Sequence, residues 1–219
     1  MRAFRKELLA SLIAIVVFTI VLGLAYPLAM TGIGQAVFPH SANGNQIKVD
    51  GRLVGSRLLG QDFQRPVLDA NGRPRLDSDG NPVLAPDPRY FQTRPSADSY
   101  NPSATAFSNA GPNGKDTEEA IAGRVEAYLA LERRYDPTLT RSQVPPDAVQ
   151  TSASGLDPDI SEANARIQAH RIAAVRNLPL SRVNSLINKY TDNRSLGFLG
   201  EPGVNVLQLN IALDKETSQ

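Results

Sequence analysis

From Leu8 to Phe38 the chain carries no charged side chain, and between Leu8 and Ala25 only Ser11 and Thr19 interrupt Leu, Ile, Val, Phe, Ala and Gly. A hydrocarbon layer roughly 30 Å thick is crossed by about 20 apolar residues at ~1.5 Å rise each, so this run is long enough to span a membrane. Because a bilayer offers no water to unpaired N–H and C=O groups, the span must be helical, with Ser11 and Thr19 bonding back to their own backbone. Arg2, Arg5 and Lys6 precede it and the next positive charge is Lys48. The positive-inside rule therefore leaves the amino terminus in the cytoplasm and everything after the span outside. A cleaved signal peptide is the rival reading, with small residues at Gly23-Leu24-Ala25. The apolar character nevertheless continues through Pro27-Leu28-Ala29-Met30 to Phe38, beyond the roughly 7 to 15 apolar residues of such a peptide. Pro27 removes one backbone donor and is expected to bend the helix. Gly23, Gly32 and Gly34 either admit a neighbouring helix or simply reflect membrane composition.

The remainder is bounded by composition. In 219 residues, 23 Lys plus Arg balance 22 Asp plus Glu, and no basic cluster follows the first residues, so the electrostatic footprint of a nucleic-acid binder is missing. With no Cys, disulfide frameworks, thiolate zinc sites, iron–sulfur clusters and cysteine nucleophiles are excluded together. The two histidines, His40 and His170, lie far apart in sequence and give a metal site no support.

The expected architecture is α+β: one amino-terminal transmembrane helix within residues 1–38, followed by a mixed helix and sheet domain over 39–219. Ile47-Lys48-Val49 and Arg52-Leu53-Val54 flank Asp50-Gly51, a strong hairpin signal. Between 66 and 88, Leu68-Asp69-Ala70-Asn71-Gly72-Arg73-Pro74 recurs as Leu76-Asp77-Ser78-Asp79-Gly80-Asn81-Pro82, which reads as a turn-rich surface insert. Asp77, Asp79 and Asn81 resemble the start of a calcium loop, but no Glu follows at the twelfth position and Gly80 comes too early. Apolar spacing predicts a helix over Thr117–Arg134 with Asp116 and Glu119 as a capping box. A second helix is expected from Asp157 or Ser161 to about Arg176, and a third after Pro179. The alternation of Val204, Val206, Leu207, Leu209, Ile211 and Leu213 with polar or small residues predicts a half-buried strand.

Ser154, Asp157 and His170 supply the parts of an activated nucleophile, yet no Gly-x-Ser-x-Gly elbow holds the serine, and a turn leading into a helix capped by Asp157 or Ser161 explains Gly155-Leu156-Asp157-Pro158 better. No phosphate loop occurs. Arg94 is placed to pair a carboxylate, either on a neighbouring subunit or as an internal ion pair. The loop Tyr90–Asn101 combines aromatic anchors with that arginine, which makes Tyr90, Phe91, Arg94, Tyr100 and Asn101 the candidate partner contacts.

A set of short motifs in fixed order carries a family resemblance: Tyr26-Pro27-Leu28, Gly55-Ser56 with Gly60-Gln61-Asp62-Phe63, Tyr90-Phe91-Gln92-Thr93-Arg94-Pro95-Ser96-Ala97, Tyr100-Asn101, Ser154-Gly155-Leu156-Asp157-Pro158-Asp159-Ile160-Ser161, and Asn205-Val206-Leu207. The chain resembles the C subunit of the bacterial Kdp high-affinity potassium-transporting ATPase from the anchor to Leu213. It departs in the insert between Phe63 and Tyr90 and at Ser108-Asn109-Ala110-Gly111-Pro112, where the family is richer in Gly and Ser. The resemblance implies a non-catalytic, single-pass accessory subunit of the bacterial inner membrane. Its partners would be membrane lipid, a channel-like potassium-binding subunit, a P-type ATPase subunit and a very small hydrophobic subunit. It also implies a catalytic chaperone that raises the ATP affinity of the pump subunit. ATP belongs to the complex, no cofactor is expected to be held by this chain itself, and the nucleotide-sensitive glutamine of the family maps to Gln168, whose rival reading is a solvated or capping amide. ATP is cytoplasmic while the domain is expected to be periplasmic, so any effect on ATP affinity is expected to act by coupling through the complex. The alternative is a membrane-anchored extracytoplasmic enzyme or binding protein that works alone.

Overall fold

The computed structural model describes residues 2–217 and divides into two compact units, Met1–Ser56 and Arg57–Gln219. In the first, α1 (Arg2–Phe18), a π-helical stretch (Thr19–Ala25) and α2 (Tyr26–Val37) follow one another without a break. Together they form the 35-residue helix Ala3–Val37, the one helix among the described residues long and apolar enough to cross a membrane; none of its apolar stretch is buried. At ~1.5 Å per residue it reaches roughly 50 Å, longer than a hydrocarbon core. Pro27 has no N–H for the carbonyl of Gly23, and its ring crowds that carbonyl. A widened turn lies just upstream, where the Tyr26 N–H reaches back to the Val21 carbonyl, the π insertion that accommodates such a clash. The Ser11 hydroxyl donates to the Glu7 carbonyl at 2.9 Å, as the apolar surroundings require.

After α3 (Pro39–Ala42), β1 (Gln46–Val49) and β2 (Arg52–Ser56) form the expected antiparallel hairpin. Asp50 and Gly51 both hold positive φ, 49° and 79°, the conformation for which an Asp-Gly pair is selected. The hairpin belongs to the first unit, which ends at Ser56.

The second unit begins with β3 (Gln64–Pro66) and β4 (Leu84–Pro86), paired antiparallel. The repeated sequence between them makes two equivalent turns: the carboxylate of Asp69 accepts the Asn71 and Arg73 N–H groups, and that of Asp77 accepts those of Asp79 and Asn81. The aspartates at the heads of the repeats are thus spent on their own turns. α4 (Lys115–Glu132) follows. Its start corrects the expected capping box: the residue before it is Gly114, with no side-chain cap, and Asp116 and Glu118 act on the exposed N–H groups as first-turn charges. Ser161 does cap α5 (Glu162–Arg176), accepting the Asn164 N–H at 3.1 Å, and α6 (Leu180–Lys189) starts after Pro179. β5 (Asp159–Ile160), β6 (Thr191–Asp192) and β7 (Gly203–Asn205) form a small antiparallel sheet with β7 in the centre.

The carboxy-terminal strand is the main correction. Only 203–205 are extended, and α7 (Val206–Thr217) occupies the rest. Val206, Leu209, Asn210 and Leu213 are buried, an i, i+3, i+4, i+7 stripe that coexists with the alternation. The Asn205 side chain accepts the Gln208 N–H at 3.2 Å, a cap that stops the strand and starts the helix. The fold is α+β, but helices dominate its core. One cluster joins Phe91 to α5, α6, β7 and α7 through Ile172, Val183, Ile187, Val204 and Leu209. A second packs Val125 and Leu129 of α4 against Leu139 and Val149.

Candidate functional site

The segment 90–93 has no strand neighbour, so its backbone groups need partners from side chains. Two amides supply them. Asn210 of α7 receives the Phe91 N–H at 2.9 Å and donates to the Phe91 carbonyl at 3.0 Å. Gln168 of α5 receives the Gln92 N–H at 2.7 Å and donates to the Gln92 carbonyl at 3.1 Å. Each amide imitates an adjacent strand. Gln168 also donates to Asn164 Oδ1 at 2.9 Å and accepts from Arg171 Nη2 at 2.9 Å, which uses both donors and both acceptor positions of its amide.

Arg171 is fully buried and Glu132 is 1% exposed. The guanidinium donates from Nε to Glu132 Oε1 at 3.0 Å and from Nη1 to the carbonyls of Pro88 and Tyr90 at 2.8 and 2.9 Å. It therefore ties α4, α5 and the 88–92 segment together. Glu132 Oε2 has no hydrogen-bond partner. Burial pushes the Glu132 carboxyl above the ordinary glutamate range, against the pull of the Arg171 charge and hydrogen bond.

Beside this hub lies a cavity of about 290 Å³ whose wall includes Asp62, Thr93, Tyr100, Tyr128, Glu132 and Gln168. Burial raises Asp62, partly offset by the Gln64 N–H, and raises both Tyr100 and Tyr128. The Tyr128 hydroxyl donates to Asn164 Oδ1 at 2.9 Å.

Of the five partner-contact candidates, only Asn101 is exposed. Phe91 is completely buried in the core, which corrects its assignment as a surface anchor: the amides of Asn210 and Gln168 hold its backbone where the ring can only point inward. Tyr90 is half-buried, its ring centroid 5.8 Å from that of Phe63 and tilted by 34° to it, with the Arg176 guanidinium 4.8 Å over its ring. Arg94 pairs with Asp157 at 2.9 Å within the same unit, so of its two readings the internal ion pair is the one observed. The Tyr100 hydroxyl donates to the Arg94 carbonyl at 2.7 Å. Ser154 hydrogen-bonds with Ser152 and accepts the Leu156 N–H, and Asp157 is engaged by Arg94, so the hydrolase parts are turn residues; His170 is exposed on α5. Glu132, Asn205 and Asn210 were not identified as site residues from sequence. The signal available was a polar residue set within an apolar helical stripe, most clearly Asn210 between Leu209 and Leu213.

The family model described as K+-transporting ATPase, c chain, matches residues 8–215. Similar proteins named potassium-transporting ATPase KdpC subunit occur in Mycobacterium tuberculosis (strain ATCC 25618 / H37Rv), 41% identical over 96% of this chain and 99% of the relative. Others are found in Methylococcus capsulatus, 44% identical over 93% and 95%, and Caulobacter vibrioides, 43% identical over 95% and 93%. Matching along nearly the whole length of both chains, and not at one motif, shows that this chain belongs to the KdpC family, the c chain of K+-transporting ATPases.

Proposed function

We propose that the chain is the membrane-anchored, non-catalytic accessory subunit of an ATP-driven potassium pump, with its amino terminus in the cytoplasm and the residues after Val37 on the periplasmic side of a bacterial inner membrane. The observation that carries this reading is the helix Ala3–Val37, whose apolar stretch is unburied among the described residues and therefore needs lipid or other membrane helices. The basic residues before it set the orientation. Gly32 has open space where a β-carbon would stand, which suits close approach of a partner helix. Catalysis belongs to a P-type ATPase subunit, and a channel-like potassium-binding subunit and a small hydrophobic subunit complete the assembly.

Raised ATP affinity fits this arrangement as a coupling free energy: a subunit that binds the nucleotide-competent state of the pump more tightly must, by linkage, tighten ATP in turn. Gln168 acts in this account as a positioning residue for Gln92 and Arg171, because a nucleotide would have to break one of its four present hydrogen bonds. The test is potassium-stimulated ATP hydrolysis by the reconstituted complex with and without this chain, across a range of ATP concentrations. The account expects a lower apparent ATP requirement with the chain present and no hydrolysis by the chain alone. Hydrolysis by the purified chain, abolished by one substitution within it, would overturn the reading.

A further inference from the structure

The cavity of about 290 Å³ beside the hub has a wall in which donors and acceptors do not balance. Its amides and hydroxyls have already given their protons to the protein. Gln92 Nε2 has the carbonyls of Phe63, Asp87 and Tyr90 within 3.2 Å, and Gln168 Nε2 donates to the Gln92 carbonyl and Asn164 Oδ1. The Thr93 hydroxyl has the Gln61 carbonyl at 3.0 Å, the Tyr100 hydroxyl donates to the Arg94 carbonyl, and that of Tyr128 donates to Asn164 Oδ1. Gln64, which is exposed, and Arg124, which donates to the Val149 carbonyl at 3.1 Å, complete the polar wall apart from its two carboxylates.

Those carboxylates have acceptor capacity to spare. Glu132 gives Oε1 to Arg171, but its Oε2 is buried and meets no donor. Asp62 accepts only the Gln64 N–H, at 3.0 Å, among the described residues. A buried acceptor left without a donor costs free energy, and more so when it carries charge. The remainder of the wall is aliphatic: Pro86, Pro95, Ala127, Leu131 and Ala148. Pro86, Ala127 and Leu131 also border a larger groove, of about 780 Å³, that extends to Leu68 and Pro74 of the insert, so the cavity adjoins open surface.

We propose that this cavity binds a primary alkylammonium group, which donates to Glu132 Oε2 while Asp62 supplies a second negative charge and the aliphatic wall receives the methylenes. An ammonium brings three donors and no acceptor, the complement of this wall, and its bond to a carboxylate is charge-assisted. A water molecule donates to one oxygen but brings no charge, and it wets the aliphatic side. The ammonium belongs either to a free amine or to a lysine side chain of a partner subunit.

The full chain in mild detergent is titrated by calorimetry with n-butylammonium chloride, and in parallel with butan-1-ol and with sodium chloride. The expected result is saturable binding of butylammonium at one site, with butan-1-ol about tenfold weaker or worse because it lacks the charge. Asp62→Asn and Ala127→Leu, the second of which fills part of the cavity from an exposed helix position, should each weaken butylammonium by about tenfold or more while the melting curve stays cooperative. Glu132→Gln should abolish binding where its melting curve shows a folded chain. To separate the two sources, the reconstituted complex is treated with a carbodiimide, which condenses a carboxylate with a nearby amine. A link from Asp62 to a partner lysine, suppressed by butylammonium, assigns the lysine; no link, with butylammonium bound as by the chain alone, assigns a free amine. That arm alone rests on the pump reading, so its result leaves the site itself standing. No saturable binding, equal binding of butan-1-ol, or binding unchanged in both Asp62→Asn and Ala127→Leu would overturn the proposal.

Discussion

Arg171→Met removes the cation that pairs with Glu132 in the hub. The carboxylate, 1% exposed, cannot stay charged and unpaired, so it takes up a proton. At pH 7 that costs up to about 3.7 kcal/mol, from a reference near 4.3 and about 1.36 kcal/mol per unit. The carbonyls of Pro88 and Tyr90 lose the donor that now reaches them; the total matches the roughly 3–5 kcal/mol of other broken buried pairs. For a unit of this size the melting temperature should fall by about 6–20 °C, measured by circular dichroism on the full chain in detergent. The sign with pH follows from the raised folded-state carboxyl: its stabilising contribution is present at low pH and is lost as pH rises. The deficit of Arg171→Met should therefore shrink to about 1 kcal/mol of the proton cost at pH 5, by the same arithmetic. Adding Glu132→Gln should restore about 2–3 kcal/mol at pH 7 and flatten the pH dependence. A loss below about 1 kcal/mol, or a larger one that neither pH nor Glu132→Gln relieves, would refute the reasoning.

Asp87 is buried, and although burial raises its carboxyl, the hydrogen bonds and charge of Arg89 outweigh that and hold it below the ordinary aspartate range. Its stabilisation is present above about pH 4 and lost as pH falls, so Asp87→Asn should cost about 1 kcal/mol at neutral pH and nothing in acid, read from melting curves. Gly155→Ala places a β-carbon against the Asp98 carboxylate at φ +74° and should cost at least about 2 kcal/mol, with faster proteolysis around Asp98 as an independent readout. Replacing residues 67–83 by a short Gly-Ser turn should leave the melting temperature nearly unchanged, because Pro66 and Leu84 already pair across the base and loop closure depends weakly on length. Removing 66–88 entirely should unfold the unit, since Asp87 and the Pro88 carbonyl go with it.

These outcomes divide as the sequence itself does into local and non-local information. The Asp50-Gly51 hairpin, the Ser161 cap and the paired Asp-headed turns of the insert were legible because each is decided within five residues. The carboxy-terminal helix was misread because Val204–Leu213 satisfies both a period of two and a helical stripe, and the deciding contact is the Asn205 cap. Glu132 and Arg171 stand 39 positions apart, and no local pattern announces that they meet. The loop from Tyr90 carries the aromatic and arginine composition of an interface, yet the amides of Asn210 and Gln168, distant in sequence, turn it inward. Composition alone could not distinguish a strap from a docking surface.

The central claim, a membrane-anchored subunit that works only within a larger pump, is tested most directly by isolating the tagged full-length chain in mild detergent and identifying its companions by mass spectrometry. The account predicts an uncleaved chain beginning at Met1 or Arg2, in constant ratio with other membrane proteins, one of which is phosphorylated from ATP. A chain beginning near Tyr26, or an intact chain that purifies alone from cells expressing the whole system, would contradict it.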